Sequence, residues 1–239
     1  NGLMDPIVQS AMLSPHQIHF LTRADVFYQK AVRSLHFAFN QMPIFRQRDK
    51  LADARERNQR IFEICAERLN IGATIGLFPE GNHRAVKTLR PLRRGVVDII
   101  NNALKLNPEM KRLKLVPVGI DYEQMTDLRR RLSYRVGPAV RFDDLIDPST
   151  GAIPPGDLLK RLKAAMDKLL VNIQPESHYD VLLPYVQAMR TTETDNWVAT
   201  RDEIRSFQSL GNDALADITK AYENATAAGV LAAARAEDL

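Results

Sequence analysis

The stretch of this 239-residue chain best furnished for chemistry is Leu77-Phe78-Pro79-Glu80-Gly81-Asn82-His83-Arg84, where an apolar run breaks into a tight, charged turn. Glycine there lets backbone approach a ligand, and a carboxylate, an imidazole and a guanidinium within a few positions can hold a phosphate or a polar headgroup. A second stretch, Met42-Pro43-Ile44-Phe45-Arg46-Gln47-Arg48-Asp49, is a short strand ending in arginine, and strand ends of open α/β sheets are where ligands bind. Arg46 and Arg48 are both candidates there; the bland alternative for each is a surface arginine paired with Asp49 or a nearby Glu. A third, Val116-Pro117-Val118-Gly119, is an apolar strand broken by proline, which suits an edge or a bulge. The fourth is the opening, Asn1-Gly2-Leu3-Met4-Asp5-Pro6, where Asp5 stands at a helix start and, taken alone, reads as a cap.

Taken in order, these four stretches resemble the glycerolipid acyltransferase family, which includes glycerol-3-phosphate and 1-acylglycerol-3-phosphate acyltransferases. The resemblance covers roughly Asn1 to Tyr122. The family's first motif is a histidine, four arbitrary residues and an aspartate; Asn1 to Asp5 supply all but the histidine, which is expected immediately before Asn1. Motif two matches at Pro43-Ile44-Phe45-Arg46, motif three at Phe78-Pro79-Glu80-Gly81 and motif four at Val116-Pro117-Val118. One departure stands in motif three, which commonly continues with threonine and arginine; here Asn82 and His83 follow, with Arg84 one place later. Which of these side chains meets phosphate therefore stays open. The downstream Leu89-Arg90-Pro91-Leu92-Arg93-Arg94-Gly95-Val96 resembles the branch that includes yeast-type glycerol-3-phosphate acyltransferases.

The resemblance implies transfer of a fatty acyl group from acyl-CoA or acyl-carrier-protein, as co-substrate, to a hydroxyl of glycerol 3-phosphate or 1-acylglycerol 3-phosphate. An unactivated hydroxyl needs a base at hydrogen-bond distance. The histidine expected before Asn1 would take its proton, with Asp5 orienting the ring and Glu80 completing the catalytic set. Arg46, Gly81, Asn82, His83 and Arg84 would hold the acceptor's phosphate, and Val116, Pro117 and Val118 would line the acyl side. No metal, resident cofactor or covalent intermediate is needed, and residues 1–239 without that histidine are expected to be inactive or nearly so. Among the chain's own histidines, His16, His19, His36 and His178 read as core or surface residues, and only His83 competes as a base.

The elements that must position these residues read as an α/β fold: a mostly parallel sheet flanked by helices, with a C-terminal helical appendage. Strands are predicted at Gln17–Thr22, Met42–Arg46, Thr74–Phe78 and Lys114–Ile120, with a further candidate at Tyr134–Val140. Helices are predicted at Asp5–Leu13, Lys30–Asn40, Asp49–Asn70 and Leu92–Leu106. The clearest of these carries Leu51, Ala54, Asn58, Ile61, Cys65 and Leu69 on one stripe and ends at Gly72. After Asp147 the signals turn to Pro, Ser and Gly, then to helix from Asp157. The reading is an acyltransferase domain over 1–148 and a helical region of unassigned role over 149–239.

Cys65, the single cysteine, excludes a disulfide framework and reads as a buried apolar side chain. From Arg84 to Arg135 there are 13 Lys/Arg against 5 Asp/Glu, whereas Arg190 to Leu239 has 5 against 9. A basic middle suits phosphate-bearing partners. Arg84, Lys87, Arg90, Arg93, Arg94 and Arg129 to Arg131 are therefore expected to face an anionic membrane leaflet on the cytoplasmic side, the chain being peripheral or anchored by sequence outside these residues. No aromatic stacking surface or recognition motif accompanies the charge, so nucleic acid is not an expected partner. Two other readings remain beside glycerol phosphate acylation: an acyltransferase for another lysolipid, and an inactive lipid-binding or scaffold module of the same fold.

Overall fold

The computed structural model describes residues 4–28, 30–45, 52–81, 87–122 and 132–173, together with 182, 202, 204–206, 216, 217, 220, 221 and 224. They fall into two compact units. The first comprises 1–83, 91–116 and 138–164, and the second 84–90, 117–137 and 165–239.

The first unit is built on a three-stranded parallel sheet. Its centre is β1 (Ile18–Arg23), with β2 (Gln41–Ile44) on one side and β3 (Thr74–Gly76) on the other. Parallel neighbours need crossover connections, and helices supply them. A 3-10 turn (Ala24–Phe27) and α2 (Lys30–Ala38) join β1 to β2, and α3 (Ala54–Asn70) joins β2 to β3. The expected α/β architecture is borne out, with helices on both faces of the sheet. In β1 successive side chains alternate, so Leu21 and its neighbour Met42 face the side where Cys65 of α3 and Ile99 of α4 (Gly95–Leu106) pack. On the opposite side, Gln41, the register partner of Phe20, takes a 2.6 Å hydrogen bond with Nδ1 of His36 on α2.

Local chemistry explains these elements. In α4 the buried residues Val96, Val97, Ile99, Ile100, Ala103 and Leu104 recur at helical spacing, and fully burying a side chain such as Ile99 stabilises by about 1.5–3 kcal/mol. α3 ends as the glycine predicts. Gly72 takes φ +88°, its N–H bonds Leu69 O at 3.0 Å, and Ala73 N–H bonds Arg68 O at 2.9 Å, closing a Schellman cap. Asn101 of α4 grips the backbone of Ile153 from both sides, accepting its N–H at 2.8 Å and donating to its carbonyl at 3.1 Å. That grip precedes α5 (Pro155–Asp167), from which Arg161 makes a bidentate pair with Asp144 at 2.7 and 2.6 Å.

The second unit holds an antiparallel pair, β4 (Val118–Tyr122) with β5 (Leu132–Val136). The fourth and fifth predicted strands thus exist with shifted bounds, and form a sheet of their own rather than extending the parallel one. Gly119 allows this packing: a Cβ there would lie 2.7 Å from the Leu169 carbonyl oxygen. Segment 87–89 pairs with 171–173 through Ile173 N–H to Lys87 O at 2.8 Å and Leu89 N–H to Asn172 Oδ1 at 2.8 Å. Among the described residues no helix is long and apolar enough to cross a membrane.

Candidate active site

Parallel pairing decides where motifs two and three meet. β2 and β3 flank β1 and run the same way, so both motifs leave the sheet at its carboxyl edge, two strand spacings or roughly 10 Å apart along the hydrogen-bonding direction. The register is staggered, with Ile44 opposite Arg23 and Gly76 opposite Phe20.

Motif three is a closed turn. Gly81 N–H bonds Phe78 O at 3.2 Å, with Pro79 and Glu80 between them, and Pro79 O accepts Arg93 N–H at 2.7 Å. Proline second in a turn and glycine fourth is the pattern such turns favour. Gly81 has φ +70°, a conformation that favours glycine, and a Cβ on it would stand 3.3 Å from Arg93 Cγ. The Arg93 side chain therefore lies along the turn. Sequence reasoning placed Arg93 on a membrane-facing segment and missed this contact, whose only sequence signal is the return of a basic run before α4. The turn is anchored from below by Phe78, whose ring stacks on Phe20 at 6.2 Å between centroids and 10° between planes. Glu80 is half-buried; Asn82, His83 and Arg84 lie outside the described residues.

The described part of motif two ends with Phe45; its last residue, Arg46, and Arg48 lie outside the described residues. Phe45 is held from α3: Asn58 Oδ1 accepts its N–H at 2.8 Å and Asn58 Nδ2 donates to its carbonyl at 2.7 Å. The Arg57 guanidinium stands 5.4 Å from the centre of the Phe45 ring and is itself paired with Asp53 at 2.7 Å.

Asp5 lies in the first turn of α1 (Met4–Met12), the helix leading to β1, and is half-buried. A carboxylate there is favoured by the positive end of the helix dipole. In motif four, Val116 is 42% exposed, Pro117 is buried and Val118 opens β4 half-buried. Pro117 follows the isolated bridge Leu115–Val140 and gives its carbonyl to Gly137 N–H at 2.9 Å, the irregular strand that proline demands.

One expected surface residue is corrected. Lys87, assigned to a leaflet-facing run, is only 5% exposed and donates from Nζ to the Tyr122 carbonyl. Its charge could be anticipated from the sequence, but the acceptor that draws it inward could not. Arg93 and Arg94 are exposed, although Arg94 pairs with Asp98 at 2.9 Å, which holds its guanidinium above its ordinary range. Arg129 to Arg131 lie outside the described residues. Cys65 is fully buried, as expected, and burial pushes its thiol up to about 12 despite the opposing charge of Arg68. His19 is held below its ordinary value, first by burial and then by Arg68, whose Nη1 lies 3.5 Å from its Nε2.

The sheet is parallel and α/β, and the described parts of motifs two and three leave it at one edge. The family model described as Acyltransferase matches residues 1–121, and the chain belongs to that family. Its similarity to glycerolipid enzymes is seen in glycerol-3-phosphate O-acyltransferase 2 of Saccharomyces cerevisiae (strain ATCC 204508 / S288c), 26% identical over 133 residues. That match covers 56% of this chain and 18% of the yeast protein, so the chain spans less than a fifth of its relative's length. No solved structure matches the chain.

Proposed function

We propose that the full protein is an O-acyltransferase of phospholipid biosynthesis, moving a fatty acyl group from acyl-CoA or acyl-carrier-protein to a hydroxyl of glycerol 3-phosphate or 1-acylglycerol 3-phosphate. The supporting observation is the meeting of motifs two and three at one carboxyl edge, in a chain whose first half matches the acyltransferase family. Arg46, Gly81, Asn82, His83 and Arg84 hold the acceptor's phosphate in this reading, with Glu80 in the catalytic set, so that binding energy becomes orientation of the reacting hydroxyl. The base is a histidine just upstream of Asn1, oriented by Asp5. It takes the hydroxyl proton as the oxygen attacks the thioester carbonyl. The tetrahedral intermediate collapses, the C–S bond breaks, and the proton passes to the leaving thiolate. Val116, Pro117 and Val118 line the acyl chain.

The protein works at the cytoplasmic face of a membrane in this reading, where its acylated product resides. Tyr28, Phe37 and Phe39 are 61%, 53% and 62% exposed, and exposed aromatic residues suit the level of lipid headgroups. Exposed Arg93 adds positive charge.

The test compares acyl transfer by the full-length protein with both phosphate acceptors, in wild type, Asp5→Ala and a variant of the upstream histidine. Loss of about two to four powers of ten on removing the base is expected. Full-length protein that transfers to neither acceptor, or whose upstream residue is not histidine, refutes the reading and leaves a lipid-binding module or another lysolipid as the acceptor. Binding to anionic vesicles that is insensitive to salt counts against the membrane assignment.

A further inference from the structure

The stripe by which α3 faces the sheet reads Ala54, Asn58, Ile61, Cys65 and Leu69, and one of these is polar. Asn58 is half-buried, and a carboxamide withdrawn from water is costly to the extent that its ends go unsatisfied. Asn58 satisfies both on one residue, accepting the Phe45 N–H at 2.8 Å and donating to the Phe45 carbonyl at 2.7 Å. β2 has ended at Ile44, so the carboxamide does for Phe45 what a neighbouring strand would otherwise do. Only the carboxamides, Asn and Gln, present a neutral donor and acceptor side by side, and Asn is the shorter of the two. The Phe45 ring is held separately, under the Arg57 guanidinium. Helix-to-sheet packing alone would be served by an aliphatic residue, as it is at Ile61. A two-ended grip on the residue directly before Arg46 has a different use.

We propose that Asn58 is the positioning residue for motif two: it fixes the backbone entering Arg46 and so sets the geometry with which that arginine meets the acceptor's phosphate. This rests on the phosphate-binding role of Arg46 proposed above. A 1 Å drift at the start of a long side chain costs more in oriented binding than in stability.

The experiment is steady-state acyl transfer to glycerol 3-phosphate and to 1-acylglycerol 3-phosphate by the full-length protein, with long-chain acyl-CoA as donor, or acyl-carrier-protein where acyl-CoA is not used. Wild type is compared with Asn58→Ala, Asn58→Asp, Arg46→Ala and the Asn58→Ala/Arg46→Ala double variant. Asn58→Ala raises the acceptor KM by about tenfold while the donor KM stays unchanged. Asn58→Asp keeps the acceptor for Phe45 N–H but turns a second oxygen toward the Phe45 carbonyl, so it also raises the acceptor KM, and it stands in for the alanine variant if that variant does not fold. The double variant is no worse than Arg46→Ala, because the grip has nothing left to position. If Arg46→Ala leaves the acceptor KM unchanged, or neither acceptor is acylated, the phosphate reading fails and takes this proposal with it. If Arg46→Ala raises the acceptor KM but the Asn58 variants do not, or if the two effects multiply, the phosphate reading stands and the positioning role is overturned.

Discussion

Gly76→Ala tests how tightly the sheet supports motif three. Gly76 ends β3 opposite Phe20, and a Cβ there would lie 2.6 Å from Cδ1 and Cε1 of the Phe20 ring and 2.8 Å from Ile18 Cγ2. Carbon atoms in contact prefer about 3.5–4.0 Å, so the overlap is close to 1 Å. Neither neighbour can yield cheaply, since Phe20 is 2% and Ile18 5% exposed. A shift of the Phe20 ring also moves Phe78, stacked on it at the head of the Phe78–Gly81 turn. Overpacking of this kind costs about 1–3 kcal/mol, and the rigid wall puts Gly76→Ala near about 3 kcal/mol. With a urea dependence of about 1–3 kcal/mol per molar, the unfolding midpoint by circular dichroism falls by about 1 M or more. Gly72→Ala is the control: nothing lies within 4 Å of its Cβ, so only the positive φ opposes it, at about 1 kcal/mol. A Gly76→Ala midpoint within about 0.2 M of wild type, or a Gly72→Ala loss equally large, refutes the steric argument.

Three further outcomes are expected. Gly81→Ala meets both a positive φ and the Arg93 side chain, so it costs about 1 kcal/mol in thermal unfolding and raises the acceptor KM; an unchanged KM would separate the turn from acceptor binding. Cys65, buried with its thiol pushed up to about 12, stays unreactive toward Ellman's reagent at pH 8 until denaturant opens the fold, and rapid labelling of native protein contradicts that burial. His19 has its folded pKa depressed below the ordinary 6.5, so the unfolded chain binds the extra proton. Its contribution is intact above that value and lost as pH falls below it, and His19→Gln flattens the urea midpoint over this window; an equal slope in the variant assigns the loss elsewhere.

Much of this molecule is legible in the order of its residues, because the signals are local. The apolar stripe of α3 and the glycine after it depend on 3.6-residue periodicity and on the φ that only Gly72 adopts without strain, so helix and cap follow from neighbours in the chain. Motifs two and three follow in the same way, each being a short run that breaks at Arg46 or at Pro79-Glu80-Gly81. A short apolar run told equally of strand at Lys114–Ile120, found at Val118–Tyr122, but such a run says nothing about the partner strand. Only the tertiary structure pairs β4 with β5 and leaves the parallel sheet at three strands. Charge likewise marks Lys87 as a surface residue until the Tyr122 carbonyl, 35 positions away, gives its ammonium an acceptor within the fold. Asn58 is the sharpest case. Its place on the helix stripe comes from local spacing, while its purpose comes from Phe45, 13 residues earlier and brought beside it by the crossover. Local spacing determines which face of an element a residue occupies; what that face meets is decided by long-range packing, where free energy depends on contacts the chain order does not contain.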